Sequence, residues 1–284
     1  MSWQILIGLS VLLYSVSVLL QKVLLRDSKN DPISFSIFFQ VGVSIVIALL
    51  VILVKGGIVI PDLSQVWIYV LLMALLYGLA NISVFKSLQL TDASQFGVIF
   101  QSKNLFAIIG TSLIFNEILT SKQWIGAILL LIGVVIVSLG KTKFKLNKGV
   151  VLAMIAGLLF GAANVNDRFL VSYFDPYTYV VIGFLFPAVF ISILYPKKLA
   201  GIKVMLTKKY LFKMTVLCLV YGLSATSFFA ALSMTDNASQ LFSINAFTVV
   251  TVVIFSIVFL KERDFMPRKL LGALLSLIGL LLVS

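Results

Sequence analysis

The chain has 284 residues, of which 61% are hydrophobic and only 11% are charged, and its mean hydropathy is +1.15. Soluble domains carry about 25% charged residues, so this composition excludes a soluble protein and predicts an integral membrane protein. The net charge of +12 does not indicate nucleic acid, because basic residues of membrane proteins gather in loops. With no histidine and one cysteine, Cys218, neither an intrachain disulfide nor a metal or other cofactor is expected.

Ten apolar runs follow one another along the chain, separated by short loops. They span residues 3–25, 34–54, 66–88, 94–115, 122–140, 149–172, 177–195, 211–233, 239–260 and 268–284. Each is close to the ~20 residues that a helix needs to cross ~30 Å of hydrocarbon. We therefore predict an all-α integral membrane protein with ten transmembrane helices. The first run lacks a basic start and a small-residue cleavage site, so it is expected to be a retained helix.

Basic residues are concentrated on one side of this predicted bundle. Of the 22 Lys and Arg residues, 18 lie in or beside odd-numbered loops, three lie on the other side, and Lys103 lies inside the fourth run. Basic loops are retained in the cytoplasm, so both termini are predicted to be non-cytoplasmic. We expect a multi-pass protein of the cell (plasma) membrane whose basic loops contact anionic lipid.

The two halves of the chain are similar in sequence. Residues 77–95 read YGLANISVFKSLQLTDASQ, and residues 221–240 read YGLSATSFFAALSMTDNASQ. A spacing of 144–146 residues also relates other pairs, namely WIGAILLLIGVVIVS and LLGALLSLIGLLLVS, Glu117 and Glu262, and the Asp-Pro pairs at 31–32 and 175–176. The chain therefore contains two copies of one five-helix unit.

This repeat predicts the organisation of the chain. We expect a first five-helix repeat at residues 1–140, a basic linker at 141–148 and a second repeat at 149–284. Because five is odd, the second copy enters the membrane from the opposite side. The halves would then form an inverted-topology repeat, with a binding site between them near the bilayer midplane.

The paired motifs resemble those of the drug/metabolite transporter superfamily, and the chain resembles its ten-helix EamA-type carriers over essentially its whole length. The resemblance rests on the paired TDAS and TDNAS, on the Glu after helices four and nine, and on G-A-(six residues)-G-[VL] in helices five and ten. It implies a secondary carrier working by alternating access, with helices five and ten at the periphery. The well-known bacterial relatives are drawn with cytoplasmic termini, opposite to the orientation that the charges here predict.

Lys103 is the residue that most strongly indicates a binding site. It lies about ten residues into the fourth run, and a charge at that depth costs at least ~2.5–3.5 kcal/mol and usually faces a cavity. The alternative is a structural lysine bonded to carbonyls or Asn side chains. On a regular helix, Phe100, Lys103 and Asn104 share one arc, whereas Gln101 and Lys103 point ~200° apart and are not expected to meet one ligand.

Other polar side chains in the apolar runs are candidates for the same site. The predicted substrate-binding residues are Lys103, Asn104, Gln101, Asn81, Asn164, Asn245, Thr248, Gln40, Tyr14 and Tyr221. Each polar stripe alone is about as well explained by hydrogen bonds between helices, but several converging stripes favour a ligand. The Gln-Ser-Lys at 101–103 also resembles the Gln-x-Lys of nucleotide-sugar transporters, which favours a polar or anionic ligand.

Several further residues have specific expected roles. Phe96, Phe100 and Phe106 are expected to form apolar walls, and Pro187, inside the seventh run, is predicted to be a hinge. Asp167, near the end of the sixth run, is expected to pair with Arg168 at the interface, with ion coupling as the alternative.

The repeated residues are expected to have structural roles. Glu117 and Glu262 should stabilise helix ends, since they recur in both halves. Small-residue faces on helices five and ten should pack within the fold or form a homodimer; they comprise Gly126, Gly133, Gly272 and Gly279.

The sequence favours a secondary transporter of a small polar or anionic metabolite across the cytoplasmic membrane. The alternatives are an exporter of amino acids or lipophilic drugs and, in a different class, a membrane-embedded scaffold without transport. An enzyme is not expected, because the histidine, metal cluster or paired acids that it would need are not visible. The expected partners are a small-molecule substrate and the lipid bilayer, not nucleic acid.

Overall fold

The computed structural model describes residues 2–26, 30–115, 120–138, 147–171, 173–234 and 244–283. In these ranges the chain consists of helices and short connections. The α-helices are α1 (Trp3–Leu25), α2 (Pro32–Lys55), α3 (Trp67–Leu90), α4 (Ala93–Phe100), α5 (Ser102–Phe115), α6 (Ser121–Ser138), α7 (Lys148–Leu170), α8 (Pro176–Leu194), α9 (Lys208–Ser233), α10 (Thr248–Phe259) and α11 (Met266–Val283). A 3-10 helix, Pro196–Leu206, lies between α8 and α9.

Six of these helices are long and apolar enough to cross a membrane: α1, α2, α3, α7, α8 and α9. The fourth predicted helix is interrupted at Gln101, which separates α4 from α5. In the ninth, a helical turn at residues 244–246 is separated from α10 by Phe247. The prediction of an all-helical membrane protein is thus confirmed, whereas the count of ten spanning helices stays a prediction.

The two Asp-Pro motifs begin α2 and α8. Asp31 Oδ2 accepts a hydrogen bond of 2.9 Å from the backbone N–H of Ser34, and Pro32 occupies the first turn, where its missing N–H has no cost. Asp31 also pairs with Lys198, which follows α8, at 2.8 Å. The beginning of α2 is therefore tied to the end of α8.

The same arrangement occurs at the other end of this helix pair. Asp175 caps α8 by accepting a 2.9 Å bond from Thr178 N–H, and it pairs at 2.7 Å with Lys55, the last residue of α2. Burial raises the pKa of Asp175, but hydrogen bonds from Lys55 and Thr178 outweigh it and lower the pKa to about 2, so this carboxylate stays ionised near neutral pH. The equivalent helices α2 and α8 run antiparallel.

Helix pairing joins the two halves along their whole length. The most extensive contacts are α6 with α11, α3 with α7, α1 with α9, α2 with α8 and α5 with α7. When α4 and α5 are counted together as the fourth helix, α1 with α9 is the pair of the first and eighth helices. In the same count, α3 with α7 is the pair of the third and sixth helices. Exchanging the two halves converts one of these pairs into the other, as expected of two related units packed about a pseudo-two-fold axis.

The glycines of the fifth and tenth helices pack against each other inside the chain. A Cβ atom on Gly133 would lie 2.6 Å from the carbonyl oxygen of Gly272, and one on Gly279 would lie 2.6 Å from that of Gly126. These distances leave no room for a side chain, so the small residues allow close contact between α6 and α11. The glycine faces are therefore used within the fold.

Glu262 stabilises the beginning of α4 from the other half of the chain. Its carboxylate accepts bonds from the backbone N–H groups of Ala93 and Ser94, at 2.8 and 2.9 Å, and from the Ser94 hydroxyl at 2.6 Å. Nearby, Lys269 pairs with Asp92 at 2.7 Å. The predicted structural role of Glu262 is confirmed, and Glu117 lies outside the described residues.

We expect Glu262→Ala to lower the free energy of unfolding by about 1–2 kcal/mol, because the first N–H groups of α4 lose their acceptor. Thermal unfolding of the purified protein in detergent measures this loss. Asp264→Ala, two residues away at an exposed position, is the matched control and should have little effect. Equal stability of the two variants would contradict the capping role.

Candidate functional site

A cavity of about 730 Å³ lies between helices of the two halves. Nine of the ten predicted substrate-binding residues line it: Tyr14, Asn81, Gln101, Lys103, Asn104, Asn164, Tyr221, Asn245 and Thr248. Gln40 does not line it, but its Oε1 accepts a bond from Asn81 Nδ2 at 3.2 Å. The cavity extends to Val171 and Leu232, at the ends of α7 and α9.

Lys103 places its ammonium group among aromatic rings. Its Nζ lies 4.8 Å from the ring centre of Phe100, 5.7 Å from that of Tyr14 and 6.0 Å from that of Phe160. These distances permit cation–π attraction, which partly replaces lost hydration. Among the residues that the structure describes, no carboxylate lies within ion-pair distance of this nitrogen. The charge is therefore held without being neutralised by an acid.

Two glycines of α7 fix the position of the helix that carries Lys103. A Cβ atom on Gly161 would lie 2.7 Å from the carbonyl oxygen of Lys103 and 3.0 Å from the backbone nitrogen of Ala107. One on Gly157 would collide with the Ser102 side chain. Helix α7 thus presents a flat surface against which α5 packs.

The interruption at Gln101 corrects one expectation. Gln101 N donates to Val98 O at 3.2 Å, and Asn104 N donates to Gln101 O at 3.0 Å, which is the i to i+3 pattern of a tighter turn. The regular 100° spacing therefore does not hold across this residue. Gln101 and Lys103 line the same cavity, whereas the expectation that they do not meet one ligand stays a prediction.

The second half contains the same interruption. Phe247 N donates to Ile244 O and Val250 N donates to Phe247 O, both at 3.1 Å. Thr248, the repeat equivalent of Lys103, follows directly and lines the cavity. Its hydroxyl is buried and has no hydrogen-bond partner in the described part of the chain. An unpaired buried hydroxyl is costly, and the described residues leave this cost at Thr248 uncompensated.

The amide side chains form two networks. Asn81 Nδ2 bonds to the carbonyl oxygen of Tyr77 at 2.9 Å as well as to Gln40, whose own amide bonds to Ser36. Asn104 Nδ2 bonds to Gln101 Oε1 at 2.9 Å. Gln40 therefore holds Asn81 in place from the side away from the cavity. This is a positioning role, which the sequence alone could not distinguish from direct contact with a ligand.

Aromatic residues of both halves form the apolar wall. The rings of Tyr14 and Tyr221 lie 5.9 Å apart, and Phe184 lies 5.5 Å from Tyr221. The predicted walls, Phe96, Phe100 and Phe106, do not line the cavity. Phe96 is buried and stacks on Phe100, and Phe106 packs on Gly161, so this expectation is wrong. The aromatic side chains that do line it include Phe160, Phe184, Phe228 and Phe229.

Asp167 lies in more enclosed surroundings than its place in the sequence indicated. It lines the cavity, is only 8% exposed, and accepts hydrogen bonds from the hydroxyls of Tyr77 and Tyr179 at 2.6 and 2.5 Å. Tyr77 on α3 and Tyr179 on α8 thus cover this end of α7, and the interfacial pairing expected for Asp167 stays a prediction. The side chain of Arg168, its expected partner, lies outside the described residues.

Pro187 lies inside α8 and is buried. It has no N–H to donate to the carbonyl of Gly183, four residues earlier, and Gly183 lines the cavity. One backbone bond of α8 is thus missing beside the cavity, which is where a hinge would have its effect. The hinge itself stays a prediction.

The sequence of the chain is similar to that of a known protein family. The sequence profile of the EamA-like transporter family matches the chain twice, over residues 1–139 and 147–284. The chain belongs to the EamA-like transporter family. The resemblance to the drug/metabolite transporter superfamily is therefore confirmed.

The family membership makes this chain a multi-pass membrane protein of a transporter family. Among solved structures, one described only as the crystal structure of a protein matches with a TM-score of 0.65 at 16% identity. The match covers 98% of this chain and 95% of that one, and it shows a shared fold. No curated protein matches the sequence.

No cluster of three or more potential metal ligands occurs within the described ranges of this EamA-like protein. The chemistry of the cavity therefore consists of one ammonium, one carboxylate, amides, hydroxyls and aromatic rings. Such a set recognises polar ligands by charge and hydrogen bonding.

We expect Gly161→Leu to lower the free energy of unfolding by about 1–3 kcal/mol, because the new side chain meets the backbone of α5. Thermal unfolding in detergent measures the change. Gly8→Leu in α1, where nothing lies within 4 Å of an added Cβ, is the matched control. A Gly161 variant as stable as the control would show that α5 does not depend on this contact.

Proposed function

We propose that this chain is a secondary carrier that moves a small polar, anionic metabolite across the cytoplasmic membrane by alternating access. The observation that carries the proposal is the Lys103 ammonium, which lines the cavity among aromatic rings and has no acidic partner in the described residues. A buried charge without a counter-ion is unfavourable, so an anion entering the cavity supplies the missing partner.

The other cavity groups suit a small ligand of this kind. A volume of about 730 Å³ lies within the range of ordinary small-molecule sites. Asn104 and Thr248 also line this cavity, and their amide and hydroxyl would supply hydrogen bonds to polar substituents. The helix interruptions at Gln101 and Phe247 resemble the discontinuous helices that build binding sites in many transporters.

The predicted inverted topology is supported by the direction of equivalent helices. The ion pairs Asp31–Lys198 and Asp175–Lys55 lie at opposite ends of the antiparallel pair α2 and α8. If both helices span the bilayer, the two repeats enter it from opposite sides. This direction agrees with two inverted repeats of five spanning helices, and we propose that the cavity between them opens to one side at a time.

A second candidate function is export of an amino acid, and it is favoured by one observation. Asp167 lines the same cavity as Lys103, so the cavity offers a negative as well as a positive group to a zwitterion. A scaffold without transport has no comparable support, because it requires neither a cavity nor charged residues within it. The two transport proposals differ in whether the ligand must carry an amine.

Orientation and assembly belong to the same proposal. The charge distribution of the loops supports non-cytoplasmic termini in a plasma membrane. A homodimer through the fifth and tenth helices would use the sides of α6 and α11 away from their shared glycine contact. Exposed Trp124, Ile128 and Leu274 provide apolar surface there for lipid or a second copy.

We expect Lys103→Met to weaken anion binding about 10–100-fold, the effect of losing a charge-assisted hydrogen bond. A panel of small carboxylates and phosphates is screened by thermal shift of the purified protein, and the best stabiliser is titrated against each variant. Lys103→Arg should retain binding, because it keeps the charge.

The matched control is Lys122→Met, which removes an exposed lysine at the beginning of α6. It should bind like wild type. If Lys103→Met binds anions as tightly as wild type, recognition by the ammonium is wrong. If only amino acids stabilise the protein, the second candidate function replaces the first.

We expect Thr248→Val to separate binding from folding. Because the hydroxyl has no partner, its removal should leave stability unchanged or raise it by about 1 kcal/mol, while affinity falls about 5-fold. Thermal unfolding and titration with the same anion measure the two effects. A loss of stability with unchanged affinity would assign the hydroxyl to packing instead.

A further inference from the structure

Asp167 has surroundings that its position in the sequence did not predict. As far as the chain is described, it is the one carboxylate that lines the cavity, and it lies on α7 about one turn before the helix ends. Each of its oxygens accepts one tyrosine hydroxyl, Oδ2 from Tyr77 and Oδ1 from Tyr179. A carboxyl group whose two oxygens both accept hydrogen bonds corresponds to the ionised carboxylate, which has no proton to donate.

This carboxylate connects the two halves of the protein. Tyr77 belongs to α3 in the first half, whereas Asp167 and Tyr179 belong to α7 and α8 in the second. The bridge from Tyr77 through Asp167 to Tyr179 therefore exists in full only while both carboxylate oxygens accept hydrogen bonds. Protonation places a hydrogen on an oxygen that a tyrosine hydroxyl already approaches as a donor, which weakens one of the two contacts.

A second acceptor for the Tyr77 hydroxyl lies beside the first. Asn164 Oδ1, one turn earlier on α7, is 3.4 Å from this hydroxyl, compared with 2.6 Å for Asp167. When the carboxyl becomes neutral, Tyr77 can turn to Asn164 without leaving its hydrogen unpaired. The cluster thus has hydrogen-bonded arrangements for both protonation states of Asp167.

No described cation neutralises Asp167 permanently. The titratable side chains that line the cavity on the surrounding elements are Tyr77 on α3, Tyr179 on α8, Lys103 on α5, Tyr14 on α1 and Tyr221 on α9. Helix α4, which also packs against α7, carries no titratable residue. The contacts of Lys103 are aromatic rings, and those of Asp167 are the two tyrosines, so these charges do not pair with each other.

We propose that Asp167 is the proton-binding site of this carrier, and that its protonation releases the tyrosine bridge between the halves. The proposal rests on the transport function proposed above. One proton from water binds a carboxylate oxygen and gives a neutral acid, and the same proton leaves to water when the bridge re-forms. A smaller cavity of about 130 Å³ adjoins the first at Tyr179 and reaches Phe174 and Pro176, which brings space for water close to the cluster.

The experiment is an infrared pH titration of the purified full-length protein, with no substrate added. Wild type should show a carbonyl band of a protonated carboxyl that appears and disappears within the physiological pH range. Asp167→Asn should lack this band. Asp62→Asn is the control and should keep it, because Asp62 is exposed and hydrogen bonds from Ser64 hold its pKa below the usual range.

Hydrogen–deuterium exchange tests the second part of the proposal. At one neutral pH, the beginning of α8 and the middle of α3 should exchange faster in Asp167→Asn than in wild type, because the NH₂ group that replaces one carboxylate oxygen cannot accept a hydroxyl. Tyr77→Phe keeps the carboxyl and should shift the pH at which the infrared band appears. This variant keeps the test decisive if Asp167→Asn does not fold.

The outcomes distinguish the two proposals. A wild-type protein without the band, a band that remains in Asp167→Asn, or a Tyr77→Phe titration identical to wild type would overturn the proton site. A band that titrates without any change in exchange would overturn the release of the bridge. None of these results depends on anion binding, so the proton site and the function assigned to Lys103 fail or stand separately.

Discussion

The structure depends on how a bundle of apolar helices accommodates a lysine near its centre. Burying an ammonium removes its hydration, which costs free energy. An acidic partner would compensate for part of this cost, but it would also neutralise the charge permanently. Here the faces of Phe100, Tyr14 and Phe160 surround Lys103 instead. Aromatic rings attract a cation weakly and do not neutralise it, so the positive charge remains available to a ligand that reaches the cavity.

Most of the candidate site could be predicted because polar residues are conspicuous in apolar runs. Nine of ten candidates line the cavity, since a chain surrounded by lipid has few other places for Asn81, Asn164 or Lys103. Gln40 was predicted among the residues that bind the ligand, but it lies behind Asn81 and does not line the cavity. A helical stripe of polar residues does not distinguish a residue that contacts the ligand from one that supports it. The enclosure of Asp167 was not predicted, because depth along one run cannot reveal that Tyr77 and Tyr179, from other helices, close over it.

The fold was predictable from the repeat, and its local departures were not. The paired Asp-Pro motifs and the paired glycines indicated which helices of the two halves are equivalent. These equivalent helices pack antiparallel to each other, with contacts at Asp31–Lys198 and at Gly133–Gly272. The interruptions at Gln101 and Phe247 carry neither proline nor glycine, the usual sequence signals of a broken helix. Tertiary packing around the cavity, such as the contact of Gly161 with the backbone at Lys103, was not visible in the sequence.

The two halves share a backbone plan but differ in charge, and this difference matters for a carrier. Lys103 has the neutral Thr248 as its repeat equivalent, and Tyr221 is the equivalent of Tyr77. A cavity with identical halves would hold a ligand equally well in two opposite orientations. With the ammonium on the first half and the Asp167 carboxylate on the second, a polar ligand would have one preferred orientation. In the proposed carrier, the repeat would supply a scaffold that opens to either side, and these two charges would define what it binds and which way the ligand faces.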